Sequence, residues 1–364
     1  MFDPDFETLS ALGLTPAIAS RAAAAAAAAA TDNADRTLFR IAEVHRETVV
    51  VHDGRICRSA RPVPKLRRSL ADDDAALVVG DWVLGAVDAN GQTWIDIRVE
   101  PSSAIVRRDG DGHRHPVVSN VDTALLVMGL DDDFNPRRME RYLALVHDSD
   151  VLPVVVLTKA DVVAHDPRQL DAQIDRLRRR IPAEVDVIAV NATEPKARDA
   201  LAAYLKRGRT LVMLGSSGAG KSTLTNTLLG TAVQDTGAVR EHDSRGKHTT
   251  TARSLHLLPG GACVIDTPGV RTLRPDGGEA AIAGTFADVA ALALHCRFRD
   301  CGHRGEPGCA VRAVLDEDRL RNYHKLLRES RRDTMTALDR QKQVAEWKAR
   351  GRASRERMRD KRGE

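Results

Sequence analysis

The chain has 364 residues, a formal net charge of +4 and only 3% aromatic residues, a size that suits two or three domains. No apolar run is long enough to span a membrane, the N-terminus lacks a signal-peptide pattern, and few aromatic side chains are present to stack on single-stranded nucleic acid. We therefore expect a cytoplasmic protein without membrane contacts.

The first two segments predict a leader and a small β-barrel. Residues 1–36 include nine consecutive alanines, Ala22 to Ala30, which favour helix but offer little surface to bury. We expect a poorly ordered leader without a chemical role. From 37 to 110, short β-rich runs such as FRIAEVH and QTWIDIRVE alternate with Asp-Gly and Asn-Gly turns. A five-stranded oligonucleotide-binding (OB-fold) barrel fits best, although other small barrels share the pattern.

Residues 111–273 predict an α/β domain. Apolar runs, among them NVDTALLVMGL, LPVVVLTKAD and RTLVMLG, alternate with helical segments such as RRMERYLALVHD. Buried strands that alternate with helices indicate a parallel sheet covered by helices on both faces.

A complete phosphate-binding loop (P-loop) follows one of these strands and precedes a helix. Its glycines allow backbone N–H groups to point at phosphate oxygens. Lys221 would bridge the β- and γ-phosphates, and the Ser222 hydroxyl would bind magnesium. The predicted phosphate-binding residues are Gly215, Ser216, Ser217, Gly218, Ala219, Gly220, Lys221, Ser222 and Thr223.

A DTPG motif, Asp266 to Gly269, ends a second apolar strand. Asp266 would supply a carboxylate on the magnesium side of the site, and the Gly269 N–H would sense the γ-phosphate. The same four residues also suit an ordinary turn, which stays open as an alternative.

Two loops together predict guanine as the base. In the segment Thr158, Lys159, Ala160, Asp161, the Asp161 carboxylate would accept hydrogen bonds from two guanine donors that adenine lacks, and the Lys159 stem would cover one face of the base. Asn191 and Ala192 form a second loop, in which the Ala192 N–H would face the guanine oxygen. Alone, LTKAD also suits a strand end that runs into a helix cap.

A mostly helical segment, 274–330, carries three cysteines and a histidine within fourteen residues: Cys296, Cys301, His303 and Cys309. Without a secretory signal, this cluster indicates metal binding before disulfides. Three thiolates and one imidazole complete a closed, structural zinc shell, and reduced cysteines without metal are the alternative.

The C-terminus is strongly basic. Arg321 to Glu364 carries fifteen Lys/Arg and seven Asp/Glu, and residues 331–364 form a basic helix or tail. Such a segment suits a phosphate-rich partner, and a solvated helix without a partner is the alternative.

The order of the motifs indicates a circular permutation. The base loops precede the P-loop and DTPG, whereas a Ras-like domain begins with the P-loop; a sheet of the same form with displaced termini explains this order. With the barrel before it and the Cys/His segment after it, the chain resembles ribosome-small-subunit-dependent GTPases of the RsgA/YjeQ type over about residues 37–330. The resemblance implies an OB-fold barrel, a permuted GTPase domain and a zinc finger.

The resemblance also implies an activity. A member would hydrolyse GTP slowly on its own, would bind the small (30S) ribosomal subunit late in its maturation, and would be stimulated there. The permutation itself makes Val270 to Leu273, directly after DTPG, the connection to the zinc module. We therefore expect γ-phosphate loss to act on this module through these residues and so to couple hydrolysis to release.

Two switch residues are predicted from the loop Ser244 to Ala252. One threonine of the loop should bind magnesium, and we choose Thr250. The position after DTPG, where Ras-like enzymes often carry glutamine, is Val270. His248 is then the catalytic candidate that orients water, as the family pattern also implies, and a surface histidine without this role is the alternative.

The barrel, the zinc module and the basic tail together predict contacts with 16S rRNA, made by a monomer. By contrast, Arg137, Arg138 and Arg141 suit a solvated helix face. A metabolic P-loop kinase, which would prefer ATP, and a non-catalytic RNA-binding module stay open as other functions.

Overall fold

The computed structural model describes residues 5–29, 36–109, 113–231, 253–269, 274–276 and 278–333. Within these residues no helix is both long enough and apolar enough to cross a membrane.

The leader differs from its prediction. Residues 5–29 form α1 (Phe6–Ser10) and α2 (Pro16–Ala28), and the Thr15 side chain caps α2 by accepting the Ile18 N–H at 3.3 Å. Leu9, Leu12, Leu14, Ile18 and Ala22 are buried in the main hydrophobic core. The expectation of poor order is wrong here because leucines and an isoleucine beside the alanine run supply the apolar surface that alanine lacks.

Five strands close the predicted barrel: β1 (Thr37–Val44), β2 (Val49–His52), β3 (Cys57–Pro62), β4 (Trp82–Val87) and β5 (Thr93–Arg98). They pair in the order β1-β2-β3-β5-β4, and a further pairing between β4 and β1 closes the barrel. Helix α3 (Pro64–Asp72) lies between β3 and β4, and Phe39, Ile41, Val83 and Ile95 belong to the barrel core. The predicted OB-fold is confirmed.

A hairpin, β6 (Ala104–Arg108) and β7 (Arg114–Ser119), connects the barrel to the central sheet. The next elements, in chain order, are β8 (Thr123–Gly129), α4 (Pro136–Val146), β9 (Leu152–Thr158), a 3-10 helix (Ala160–Val163), α5 (Pro167–Arg178), β10 (Asp186–Ala189), α6 (Lys196–Ala200), β11 (Thr210–Gly215), α7 (Lys221–Leu229), β12 (Ser254–Leu257) and β13 (Cys263–Asp266). The strands lie side by side in the order β10-β9-β8-β11-β13-β12, all parallel except β12.

This topology explains why the base motif can precede the P-loop in the chain. The strands β9, β11 and β13 run parallel, so the segments that follow Thr158, Gly215 and Asp266 emerge at one edge of the sheet. Ligands of open α/β sheets bind at this edge. The motifs therefore meet in space although their order along the chain is changed, and the predicted permuted GTPase sheet is confirmed.

One buried arginine joins the N-terminal units to the central sheet. Arg40 in β1 donates to the carbonyl of Leu12, to Thr210 Oγ1 at 2.9 Å and to the Asn120 carbonyl at 2.8 Å. Its guanidinium also lies 5.4 Å from the Trp82 ring centroid. The leader helices, the barrel and the P-loop strand thus meet at a single buried cation.

The C-terminal region is mostly helical, as predicted. It consists of β14 (Arg274–Pro275), α8 (Gly278–Thr285), α9 (Ala287–Ala293), α10 (Ala310–Val314) and α11 (Glu317–Asp333), and β14 pairs with β6. Ile282, Phe286, Val289, Val311 and Leu326 belong to its own apolar core. Helices α8 and α11 pack against α4 of the central domain.

Candidate nucleotide site and metal cluster

The P-loop connects β11 to α7 with a backbone that requires glycine. Gly218 and Gly220 have φ angles of +80° and +88°, in the left-handed region where a side chain is strained. Gly220 is also the N-cap of α7, and Ser222 and Thr223 lie in the first turn of this helix. The loop therefore presents backbone N–H groups and a helix N-terminus to a phosphate chain.

The three residues predicted to act on the phosphates and the metal lie together. Lys221 is buried and donates to the carbonyls of Gly215 at 3.0 Å and Ser216 at 2.7 Å. Burial lowers the pKa of Lys221. Ser222 Oγ donates to Asp266 Oδ2 at 3.3 Å.

Asp266 shows how the site is prepared for a cation. Its side chain is fully buried, and no hydrogen-bond partner for Oδ1 lies in the described part of the chain. Burial raises the pKa of Asp266, while the neighbouring Lys221 charge acts in the opposite direction. A buried carboxylate oxygen without a partner, beside a serine hydroxyl, suits the hard oxygen coordination of magnesium.

The DTPG segment lies directly against the P-loop. Thr267 Oγ1 donates to the Met213 carbonyl at 2.5 Å, which fixes the segment to β11. A Cβ atom on Gly269 would lie 2.5 Å from Ser217 N and 2.7 Å from Ser217 Cα. Glycine is thus required for this close approach, and an isolated turn would not need it.

The first base loop also contacts the P-loop. Thr158 Oγ1 donates to the Ala219 carbonyl at 2.6 Å. A Cβ on Gly220 would lie 3.2 Å from Thr158 Oγ1. Lys159 has a left-handed φ of 59°, and Asp161 is exposed in the 3-10 helix that follows. An exposed carboxylate beside the P-loop is available to a base.

The second base loop is held beside the first. The Ala160 N–H donates to the Val190 carbonyl at 3.2 Å, and Thr227 of α7 donates to the Ala192 carbonyl at 2.6 Å. The Asn191 side chain is occupied locally, since its Oδ1 accepts the Thr193 N–H at 3.1 Å. The structure therefore brings both predicted base loops and the P-loop to one edge.

The three cysteines and the histidine converge as a metal would require. Their ligand atoms all lie within 4.8 Å of one another. Cys296 Sγ lies 3.9 Å from Cys309 Sγ, and His303 Nδ1 lies 3.5 Å from Cys309 Sγ. Zinc bonds of about 2.3 Å to sulfur and about 2.0–2.1 Å to nitrogen give tetrahedral edges of about 3.8 Å and about 3.5 Å. The group can hold a metal ion of this size.

Comparisons with known proteins agree with this arrangement. Residues 99–275 match the sequence pattern of the family described as RsgA GTPase. A protein of Xanthomonas oryzae pv. oryzae (strain MAFF 311018), named small ribosomal subunit biogenesis GTPase RsgA, is 45% identical over 333 residues, which cover 89% of this chain and 88% of that protein. The chain belongs to the RsgA GTPase family. The predicted family and the predicted enzyme class, a GTP hydrolase, are confirmed.

Another relative agrees with this family, and two solved structures agree with the fold. A protein of the same name from Xanthomonas campestris pv. campestris (strain B100) is 47% identical over 296 residues, 79% of each chain. The crystal structure of YjeQ from Thermotoga maritima matches with a TM-score of 0.57 at 24% identity, over 81% of this chain and 98% of that one. YloQ, whose title calls it a circularly permuted GTPase, matches with a TM-score of 0.55 at 22% identity, over 83% and 97%. The two structures support the fold.

Some residues at the site of this RsgA GTPase were not predicted. Asp133 accepts from Ser216 Oγ at 2.6 Å, and Arg138 Nη1 donates to the same hydroxyl at 2.6 Å. Lys159 Nζ donates to Asp131 Oδ2 at 2.6 Å. The run DDDFNP, which begins two residues after the end of the buried strand β8, is a signal for them, because polar residues at that strand end lie at the ligand edge.

The interpretation of the α4 arginines as a solvated face is wrong. Arg138 contacts the P-loop hydroxyl of Ser216, Arg141 pairs with Glu329 of α11 at 3.2 Å, and Arg137 pairs with Asp318 of the same helix. Helical spacing alone cannot distinguish solvent from a second domain that packs on the polar face.

Several predicted residues of this RsgA GTPase lie outside the described residues. They are His248 and Thr250 of the first switch, Val270 to Leu273 after DTPG, and the tail from residue 334. Their roles stay predictions.

Proposed function

We propose that this chain hydrolyses GTP as part of the maturation of the small ribosomal subunit, that the subunit stimulates hydrolysis, and that hydrolysis is coupled to release. The observation that carries this proposal is the joint placement of the guanine loops, the P-loop and Asp266 at one sheet edge. Relatives that are 45% and 47% identical to the chain are named as biogenesis GTPases of this subunit.

Each residue of the site has a defined task in the proposal. The P-loop N–H groups and Lys221 bind the phosphates, and Asp161 selects guanine through the two donors of its edge. Ser222 and Thr250 would bind magnesium, and Asp266 would supply a carboxylate on the magnesium side of the site. When bound, magnesium neutralises charge that develops on the β- and γ-phosphates.

His248 is the proposed residue that orients the attacking water. Val270 occupies the place of the usual glutamine and can neither donate nor accept a hydrogen bond through its side chain. His248→Ala should therefore lower subunit-stimulated turnover and leave GTP affinity near wild type. His165→Ala, an exposed histidine on another loop, is the matched control. Equal stimulated turnover in the His248 variant would remove it from this role.

The Cys296, Cys301, His303, Cys309 group is proposed to hold one structural zinc ion. Four protein ligands leave no open coordination position, so the ion would stabilise the C-terminal module and take no part in chemistry. The barrel, this module and the basic tail are proposed to bind 16S rRNA as parts of a monomer in the cytoplasm, where ribosome biogenesis relatives would work.

The deciding experiment compares GTP and ATP hydrolysis with and without purified small subunits. We expect GTP to be preferred and the subunits to raise the rate. A kinase would prefer ATP and need an acceptor, and a non-catalytic module would show no turnover. ATP preference, or an equal rate with and without subunits, would refute the proposed function.

A further inference from the structure

A large cleft opens between the central domain and the C-terminal helices. It has a volume of about 1020 Å³, and α4 forms one wall and α11 the other. The loop that carries Arg304 closes one side, and the P-loop residues Ser216 and Ser217 form part of the lining. The nucleotide site and this cleft therefore share a wall.

The lining of the cleft is strongly cationic. Among the lining residues there are seven arginines and lysines and a single carboxylate, Asp133. Four of the cations have carboxylate partners within 4.0 Å: Arg137, Arg138, Arg141 and Arg321. For Arg304, Lys325 and Arg328, the described part of the chain provides no such partner. These three side chains are exposed, and their charges are available to an anion, although Arg328 Nε also donates to the His324 carbonyl at 3.3 Å.

The cations of α11 form a row. Arg321, Lys325 and Arg328 are exposed and follow one another at spacings of four and three residues, so they share one helix face. At 1.5 Å per residue, the row is about 10 Å long. A single phosphate would contact one or two of these groups, whereas a chain of phosphates could follow all three.

The other lining groups favour recognition of a backbone over recognition of bases. Asn135, Asn322 and Ser217 supply hydrogen-bonding groups. The lining contains two aromatic residues, His324 and Tyr142, and Tyr142 is only 2% exposed. Stacking of unpaired bases needs accessible aromatic faces. Contacts from arginine and lysine to phosphates hold RNA without reading its sequence.

We propose that this cleft binds the phosphate backbone of structured RNA. The inference rests on the proposed function, since the ribosomal subunit would supply this RNA, and it adds a specific surface that lies against the P-loop. RNA in the cleft would lie beside Arg138, which donates to Ser216 Oγ at 2.6 Å. A ligand in the cleft would therefore lie next to a side chain that contacts the P-loop.

The test measures how RNA affinity depends on salt. The variant Arg304→Gln/Lys325→Gln/Arg328→Gln removes the three unpaired cations, and Arg168→Gln/Arg178→Gln/Lys196→Gln removes three exposed cations of α5 and α6 outside the cleft. Affinity for an RNA hairpin of unrelated sequence, and for purified small subunits, is measured from about 50 to about 200 mM salt. The slope of log K against log salt should become less steep by about 2–3 in the cleft variant. It should stay near wild type in the control.

Two further measurements keep the result decisive. Lys325→Arg/Arg328→Lys retains both charges and should retain the slope, and unchanged affinity for a GTP analogue shows that each variant is folded. An unchanged slope in the cleft variant, or an equal loss in the control, would overturn the inference. If the cleft variant loses affinity for inorganic triphosphate but binds the hairpin as tightly as wild type, the inference is also overturned, in favour of a small polyphosphate ligand. If subunits fail to stimulate wild-type hydrolysis, the proposed function falls, and the hairpin slopes still decide the cleft.

Discussion

Removal of Glu140 should loosen the C-terminal helices from the central domain. Glu140 of α4 is fully buried, and its carboxylate accepts from Arg180 Nε and Arg319 Nη1, each at 2.7 Å, and from Asn322 Nδ2. Arg319 and Asn322 belong to α11. In Glu140→Ala the two arginines lose a shared, buried anion.

The structure sets the size of the effect. Breaking a buried ion pair by removing one partner costs about 3–5 kcal/mol. Here each arginine keeps another carboxylate, Asp318 for Arg180 at 2.8 Å and Asp288 for Arg319 at 2.7 Å. We therefore expect the lower end, about 3 kcal/mol, which corresponds to a shift of roughly 150-fold in the equilibrium that opens this interface.

Native-state hydrogen exchange measures this opening directly. Amides of α8 and α11 should exchange faster by about two orders of magnitude in Glu140→Ala, while amides of β2 and β3 in the barrel keep their rates. Glu140→Gln keeps the shape and one acceptor, so it should show a smaller increase. Glu317→Gln, which breaks an exposed pair with Arg321, should leave the rates unchanged. Wild-type exchange of α11 in Glu140→Ala would refute the reasoning.

Three more predictions concern the nucleotide and the metal. Asp161→Asn presents a donor where guanine also donates, so GTP affinity should fall about 10- to 100-fold and xanthosine triphosphate, which has an oxygen there, should bind better in competition; equal GTP affinity would contradict the role of Asp161. Gly269→Ala places a Cβ 2.5 Å from Ser217 N. Single-turnover hydrolysis should fall at least about tenfold, because DTPG must move away from the P-loop, and a wild-type rate would show that it does not need this contact. Cys309→Ser should lower zinc content and melting temperature, whereas Cys263→Ser, a buried cysteine outside the cluster, should keep its zinc; full zinc in the Cys309 variant would exclude Cys309 as a ligand.

The sequence predicted which residues would come together where chemistry dictates both residue type and spacing, and their roles stay predictions. Lys221, Asp161 and the Cys/His group belong to this class, because phosphate, guanine and metal each impose a fixed set of donors or acceptors. Strands of a parallel sheet have fixed polarity, so the apolar runs, together with the motifs that follow them, indicate that the base loops and the P-loop lie at one edge.

The sequence could not predict contacts between units that are distant in the chain. Arg40 lies in a strand and is a residue type usually found on the surface, yet it donates to Leu12, Asn120 and Thr210 once three segments come together. Arg138 was misjudged for the same reason. A charged side chain on a helix gives no sign of its partner, because the partner can lie anywhere along the chain.

Helix α4 contacts both the P-loop and the C-terminal module within one helical turn. Arg138 holds the P-loop hydroxyl of Ser216, and Arg141, one turn later, holds Glu329 of α11. The two residues are about 4.5 Å apart along the helix axis. If γ-phosphate loss acts on the module through residues 270–273, as predicted, the module would also be connected to the P-loop through α4, so a displacement of the module would reach the nucleotide site by a second route.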